Sequence, residues 1–272
     1  MPTPVLERLL LLLVLVISIG WFWREVQLRL ALFLRAKPDK RFPLRPYGPR
    51  LVRFVRQVLL QEKVIRERPL VGLAHAVVFW GFLLFLLVSL DHIASGFGVA
   101  FLDRTGGFGW LYVHLVAVFA IGVSIGILAL LARRFLLRPR ALGEVSLESG
   151  VIGLFIFLLM VTYLAGLYYP EASGPIAHAL WWLHTLVLAA FLPLIPRSKH
   201  FHLLLGPIGV FWKAQTLAHI PTLDYEREEY GLEQAKDVSR KNVLDAFACV
   251  ECGRCQENCP AFLTGKLLNP KH

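Results

Sequence analysis

The sequence predicts an all-α membrane protein, a five-helix transmembrane bundle that ends in a short polar tail. Three observations predict it. Hydrophobic residues make up 56% of the 272 positions and mean hydropathy is +0.59, a balance that soluble domains of this size rarely reach. The apolar residues are gathered into unbroken runs of about 20, the length a helix needs to cross a hydrocarbon core with its backbone groups paired inside the segment. Between those runs Lys and Arg crowd some connections and leave others nearly bare, the charge asymmetry of a multi-pass protein.

The first span is expected at residues 5–23. Glu7 and Arg8 stand where a secretory leader would carry a basic segment, no small-residue cleavage site follows, and Trp21 and Trp23 suit an interfacial anchor. The run therefore reads as an uncleaved span. Between Arg24 and Arg68 come 13 Lys or Arg against the four acids Glu25, Asp39, Glu62 and Glu67. Within this stretch Arg50 to Leu60 interleaves basic and apolar residues, as an amphipathic helix lying on a lipid surface does. The other spans are expected at residues 70–90, 109–131, 150–169 and 176–196. The connection after the second span carries Arg104 alone, and Pro170 to Pro175 carries no Lys or Arg. Arg133, Arg134, Arg138 and Arg140 follow the third span. The positive-inside rule then puts the N-terminus outside and the C-terminus in the cytoplasm, across the inner (cytoplasmic) membrane. An odd number of spans agrees.

The chain divides by composition into a membrane domain, residues 1–202, and a cytoplasmic tail, residues 203–272. The tail carries an acidic cluster at Asp224, Glu226, Glu228 and Glu229, and too few apolar residues to build a large core alone. The net charge of +10 sits mostly in the connections that face lipid headgroups, which excludes nucleic acid as a partner. Paired broken helices and an inverted repeat, the marks of a transporter, are missing from the sequence.

The only four cysteines, Cys249, Cys252, Cys255 and Cys259, fall in the order C-x2-C-x2-C-x3-C and are followed at once by Pro260. This is the bacterial iron–sulfur run, in which three thiolates hold one 4Fe–4S cluster and the fourth reaches another. A zinc knuckle would not require that spacing or the trailing proline, and a cytoplasmic segment keeps its thiols reduced. The run implies two clusters where one cysteine set is present. A longer polypeptide or a second, cysteine-rich cytoplasmic subunit is expected to supply the missing ligands.

Ionisable residues inside a bilayer are costly and are commonly functional. His75 lies about one and a half turns into the second span, His114 a similar distance into the third from the outside, and His92 at the outer end of the second. His178 and His184 occupy the outer half of the fifth span. His178 reads as a histidine bonded to a neighbouring helix, and His200 as an interfacial residue. His184 and His202 are eighteen residues apart, five whole turns of a continuous helix, so both would project from one face. Two stacked b-type haems, each held by imidazoles from two helices, would use that geometry. His75 is at the depth to pair with His202. For His184 the partner is His114, matched in depth, with His92 the alternative. Asp91 beside His92 marks a second role there, proton acceptor at a quinol.

Several strings resemble a known family: His75 to Phe82 (HAVVFWGF), Trp181 to His184 (WWLH), Ile195 to His202 (IPRSKHFH) and Asp245 to Lys266 (DAFACVECGRCQENCPAFLTGK). The five-span arrangement is similar to the cytochrome b subunit of respiratory nitrate reductase. The strings resemble more closely the membrane fusion proteins in which such a cytochrome precedes a heterodisulfide-reductase-like iron–sulfur domain. The resemblance implies electron exchange with menaquinone or another quinone, one or two haems b, two 4Fe–4S clusters, and electron-transfer flavoprotein or a thiol–disulfide couple as the soluble partner. It carries haem ligation to His75, His184 and His202 and cluster ligation to the four cysteines. Two departures stand out. Phe85 occupies the place, ten residues after His75, where the nitrate reductase subunit has a second ligand, and the family's cysteine-rich segments do not fall within this sequence. The function expected is membrane electron transfer between cytoplasmic iron–sulfur clusters and the quinone pool through b-type haem. The alternative is a non-catalytic membrane anchor that docks a soluble oxidoreductase.

Overall fold

The computed structural model describes residues 4–38, 44–168, 174–213, 237–268 and 270. The acidic cluster at 224–229 lies outside the described residues. Those described form α1 (Val5–Arg35), α2 (Tyr47–Phe54), α3 (Glu62–Glu67), α4 (Pro69–Gly96), α5 (Gly107–Ala132), α6 (Leu147–Tyr168), α7 (Pro175–Arg197), α8 (His202–Phe211), α9 (Arg240–Phe247), α10 (Arg254–Glu257) and α11 (Pro260–Leu263). Among the described residues no strand forms beyond an isolated bridge between Lys37 and Ser239. Five helices, α1, α4, α5, α6 and α7, are long and apolar enough to cross a membrane. The chain is a multi-pass, all-α membrane protein.

Two helices outrun the expected spans. α1 has 31 residues and so measures about 46 Å, well beyond a core of ~30 Å. Nothing breaks it after Trp23, and its polar extension is held by the Glu25–Arg29 pair, one turn apart at 2.9 Å. α4 continues past Leu90 to Gly96, which puts Asp91 and His92 inside the helix and not at its end. A third difference lies at the end of α7. Ser198 is extended (φ −120°, ψ 173°) and its hydroxyl accepts from the His200 N–H, so the helix stops and His202 opens a new one. The argument that His184 and His202 share one helical face across five turns therefore fails.

The chain forms two compact units. The first comprises Met1–Phe22, Lys63–Leu194 and Glu251–His272. Its centre is α5, where Val113, Val116, Ala117 and Ala120, spaced as one helical stripe, are 0–1% exposed. Val118 and Ile125 on the opposite face are open, as lipid-facing residues are. α4 and α5 approach closely: a Cβ on Gly81 would run into Val123, and one on Gly126 would come within 3.2 Å of the Ala74 carbonyl. Buried hydroxyls tie the helices together. Ser18 donates to the Ala189 carbonyl at 2.6 Å, Tyr112 to Leu84 at 2.6 Å and Tyr163 to Val113 at 2.7 Å. In a bilayer, where burial of apolar surface gives helices no reason to associate, such close packing and hydrogen bonds do so.

The second unit comprises Trp23–Glu62 and Ile195–Val250. The boundary expected after residue 202 falls inside it. α2 runs on through one π turn to Leu59 and packs on α8. Arg50, 2% exposed, donates to the carbonyls of Phe211 and Lys213, both at 2.8 Å, and so satisfies the carbonyl that ends α8 and one just beyond it. Tyr47, Leu51, Val55 and Leu59, four residues apart, form an exposed apolar stripe on the other side of the same helix.

Candidate functional site

In the first unit α4, α6, α7 and the loop after α4 enclose a cavity of about 300 Å³. Its polar wall is Asp91, His92, Ser95, Arg104, Tyr163 and His184. Asp91 is fully buried. Its Oδ1 accepts from the N–H groups of Phe101 (2.8 Å) and Leu102 (2.9 Å), and Oδ2 faces the Arg104 guanidinium at 3.5 Å. The carboxylate thereby ties the loop back onto α4, and both of its oxygens are engaged.

His92 and His184 meet across the cavity with ring centroids 4.6 Å apart, and His92 also stacks on Trp181 at 5.0 Å. Two threonines orient them. The Thr162 hydroxyl lies 2.7 Å from both the Leu158 carbonyl and His184 Nδ1, so Nδ1 is the ring nitrogen that it engages. With the hydroxyl proton on the helix carbonyl, His184 carries its proton on Nδ1 and Nε2 keeps a lone pair. Thr185 likewise lies 2.9 Å from the Trp181 carbonyl and 2.9 Å from His92 Nε2; with its proton on the carbonyl it accepts from Nε2, and the lone pair of His92 falls on Nδ1. Sequence reasoning missed Thr162, Thr185 and Tyr163. Their one signal was a hydroxyl within an apolar span, which marks interhelical bonding without saying to what.

His114, set ahead of His92 as the partner of His184, lies on α5 with Nδ1 2.8 Å from the Trp110 carbonyl and its ring stacked on Trp110. The structure brings His92, not His114, against His184. An iron between two imidazoles, with metal–nitrogen bonds of about 2 Å, holds ring centroids roughly 6 Å apart or more, so His92 and His184 at 4.6 Å do not fit as a pair on one haem. His184 by itself fits as a ligand, since Thr162 engages its Nδ1 and Nε2 is the nitrogen left for a metal. His202, in the second unit, has the same arrangement. Its Nδ1 lies 2.7 Å from the Lys199 carbonyl and must donate, and burial pushes its imidazole below the ordinary value, keeping the ring neutral. His75 is half-buried in α4 in the first unit. His178 lies 3.5 Å from Glu7.

The four cysteines are free thiols. Cys249 and Cys255 are exposed, and Cys252 and Cys259 are partly buried. Positive φ at Glu251 (52°) and Gly253 (77°) turns the backbone on both sides of Cys252, and Cys259 caps α11 with Pro260 at its first position. Among the described residues no three His, Cys, Asp or Glu side chains are gathered around one point as metal ligands. The donor set fits a cluster by its chemistry: four unpaired thiols, none tied into a disulfide, on short segments joined by tight turns. Metal sites of this kind close as the metal binds.

No family model matches the chain. No solved structure matches it either. The chain is 30% identical over 300 residues to the "Probable iron-sulfur-binding oxidoreductase FadF" of Bacillus subtilis, a match that covers 97% of the chain and 41% of that protein. It is 31% identical over 252 residues to the "EtfAB:quinone oxidoreductase" of Syntrophomonas wolfei, covering 78% of the chain and 35% of that protein. A 49-residue stretch is 45% identical to a "Probable membrane-anchored ferredoxin" of Chromohalobacter salexigens. The chain spans 41% and 35% of the length of the first two relatives. The similarity is to iron–sulfur oxidoreductases, and with the first of them it takes in nearly all of this sequence, membrane helices included.

Proposed function

We propose that this chain is the membrane segment of a quinone-linked iron–sulfur oxidoreductase, carrying electrons between a cytoplasmic tail and the quinone pool through b-type haem. The observation that carries the reading is the cavity. Two imidazoles meet there and present different nitrogens, which separates a ligand from a base. His184 offers Nε2 to a haem iron. His92 offers Nδ1 to a quinol hydroxyl as hydrogen-bond acceptor, and Asp91 with Arg104 fixes the loop that closes the cavity. At about 300 Å³ the cavity stands at the small end of ligand sites, suited to a ring headgroup with its tail in lipid.

His75 and His202 are the ligands proposed for a haem nearer the tail, and His114 the partner proposed for His184. Cys249, Cys252, Cys255 and Cys259 would hold 4Fe–4S iron, which supplies one-electron transfer when bound. The positive-inside rule supports a cytoplasmic C-terminus. The name of the Syntrophomonas relative supports electron-transfer flavoprotein as the soluble partner. Membranes containing the full-length protein are expected to give a dithionite-reduced minus oxidised spectrum of b-type haem that a quinone analogue re-oxidises. His75→Ala and His202→Ala should each remove part of that signal. Folded protein with neither haem nor quinone-dependent re-oxidation would instead establish the non-catalytic anchor.

A further inference from the structure

The N-terminal end of α4 and the cysteine turn carry the same two charges in opposite order. Glu67 and Arg68 are neighbours at the junction of α3 and α4. Arg254 and Glu257 are three residues apart, on one face of α10. Glu67 pairs with Arg254 at 3.1 Å, and Arg68 makes a close pair with Glu257. A second nitrogen of Arg68 lies 3.4 Å from the carbonyl of Cys252. The turn at Arg140–Leu142 also packs against α10, and Arg133 lies within electrostatic reach of both Arg68 and Glu257. Every residue in this set belongs to the first unit.

The four charged side chains are neither free in water nor fully enclosed: Arg68 is 21% and Arg254 28% exposed, against 41% for Glu67 and 42% for Glu257. A single pair at such exposure contributes little. Two pairs of reversed polarity do something a single pair does not, because turning the cysteine segment end for end would set Glu67 against Glu257 and Arg68 against Arg254. Orientation is what they fix.

We propose that Glu67 and Arg68 are positioning residues for the iron–sulfur carrier: with Arg254 and Glu257 they form a reciprocal clamp that holds the Cys252–Cys255 turn at the start of α4, with the Arg68 charge beside it. This rests on the iron–sulfur reading of the cysteines. The clamp has two consequences. Seven residues separate Arg68 from His75, about 10 Å along the helix, so the turn is held at a set distance from a proposed haem ligand. A cluster bound by thiolates is anionic and gains a further negative charge on reduction, so a fixed cation next to Cys252 favours the reduced form and raises the potential.

The test uses the full-length protein in membranes, with iron content, an EPR-monitored redox titration, and alkylation of the cysteines in iron-free protein. Arg68→Gln should keep its iron and disfavour reduction of the cluster about tenfold, 59 mV for a one-electron couple. Glu67→Arg and Arg254→Glu should each speed alkylation of Cys252 and lower iron content, and the double exchange Glu67→Arg with Arg254→Glu should restore both. High salt should mimic the single changes in part. A double exchange no better than the single ones would overturn the clamp. So would normal iron with an unchanged potential in Arg68→Gln. If that variant loses its iron, Arg68→Lys decides: recovery of iron supports the clamp, and no recovery overturns it. Wild-type protein without iron would refute the iron–sulfur reading itself, a result separate from all of these.

Discussion

Replacing Asp91 separates two roles that the sequence leaves together, proton acceptor and loop anchor. The carboxylate accepts two backbone N–H groups, one of them on the buried Leu102, and faces Arg104. Hydrogen bonds to a charged group contribute about 1.5–3 kcal/mol each, and a buried donor left unsatisfied costs a similar amount. Phe101 is half exposed, so water can replace its bond at little cost. Asp91→Ala should therefore cost about 3 kcal/mol, mostly at Leu102. Asp91→Asn keeps an acceptor oxygen at the same place, loses the charge, and should cost about 1 kcal/mol. At roughly 2–4 °C per kcal/mol for a chain of this size, the alanine variant should melt about 6–12 °C below wild type and the asparagine variant within a few degrees of it. Thermal unfolding followed by size exclusion in detergent measures the first quantity, and quinol-dependent haem reduction the second. If Asp91 anchors the loop and His92 is the base, the asparagine variant retains most of its turnover. An asparagine variant with near-normal melting and turnover reduced a hundredfold would refute this and make Asp91 the proton acceptor.

Thr162→Val removes the acceptor of the His184 Nδ1–H and should weaken haem binding 10–100-fold, the range seen when the support of a ligating histidine is lost; haem titration of the purified apoprotein reads it. His92→Ala should leave haem content intact and depress quinol oxidation, whereas loss of the outer haem with His92 would make it a ligand after all. Ser18→Ala should destabilise the bundle by only about 0.6 kcal/mol, the usual worth of one interhelical hydrogen bond in a membrane, detectable as a small shift in the unfolding midpoint. Iron analysis of Cys252→Ser and Cys259→Ser in the full-length protein should show two different losses, because the second- and fourth-position cysteines of this run serve different clusters; identical loss in both would mean that all four hold one.

The five spans and the cysteine run were legible in the sequence because each rests on a local rule, apolar length in one case and ligand spacing in the other. The ends of the spans were not. α4 runs through Asp91 and His92 because loop N–H groups fold back onto the Asp91 carboxylate, a contact between residues ten and eleven apart that no hydropathy window contains. That extension carries His92 inward to His184. The single-helix link between His184 and His202 failed for a different reason: Ser198 and the turn after it interrupt an apolar stretch whose composition alone continues. The orienting roles of Thr162 and Thr185 depend on which carbonyl each hydroxyl already serves, and that is a property of three packed helices. Legible pieces were also dispersed. Glu67 and Arg68 read as part of a basic loop until the fold set them against Arg254 and Glu257.

α4 connects the two ends of the proposed path. Arg68 at its start grips the cysteine turn, and His92 near its end lines the cavity. From Arg68 to His75 is about 10 Å along the axis, and from His75 to His92 about 26 Å. Electron tunnelling falls off steeply over such distances, so a carrier at His75 serves the tail and not the cavity. The proposed path then requires a second carrier at the level of His92, and the imidazole there whose Nδ1, not Nε2, is engaged by a threonine is His184. His92, in contact with the same ring but with its Nε2 already bonded to Thr185, is the group proposed to meet the quinol. The division of labour proposed for these two adjacent histidines thus rests on which ring nitrogen each threonine engages, Nδ1 of His184 and Nε2 of His92.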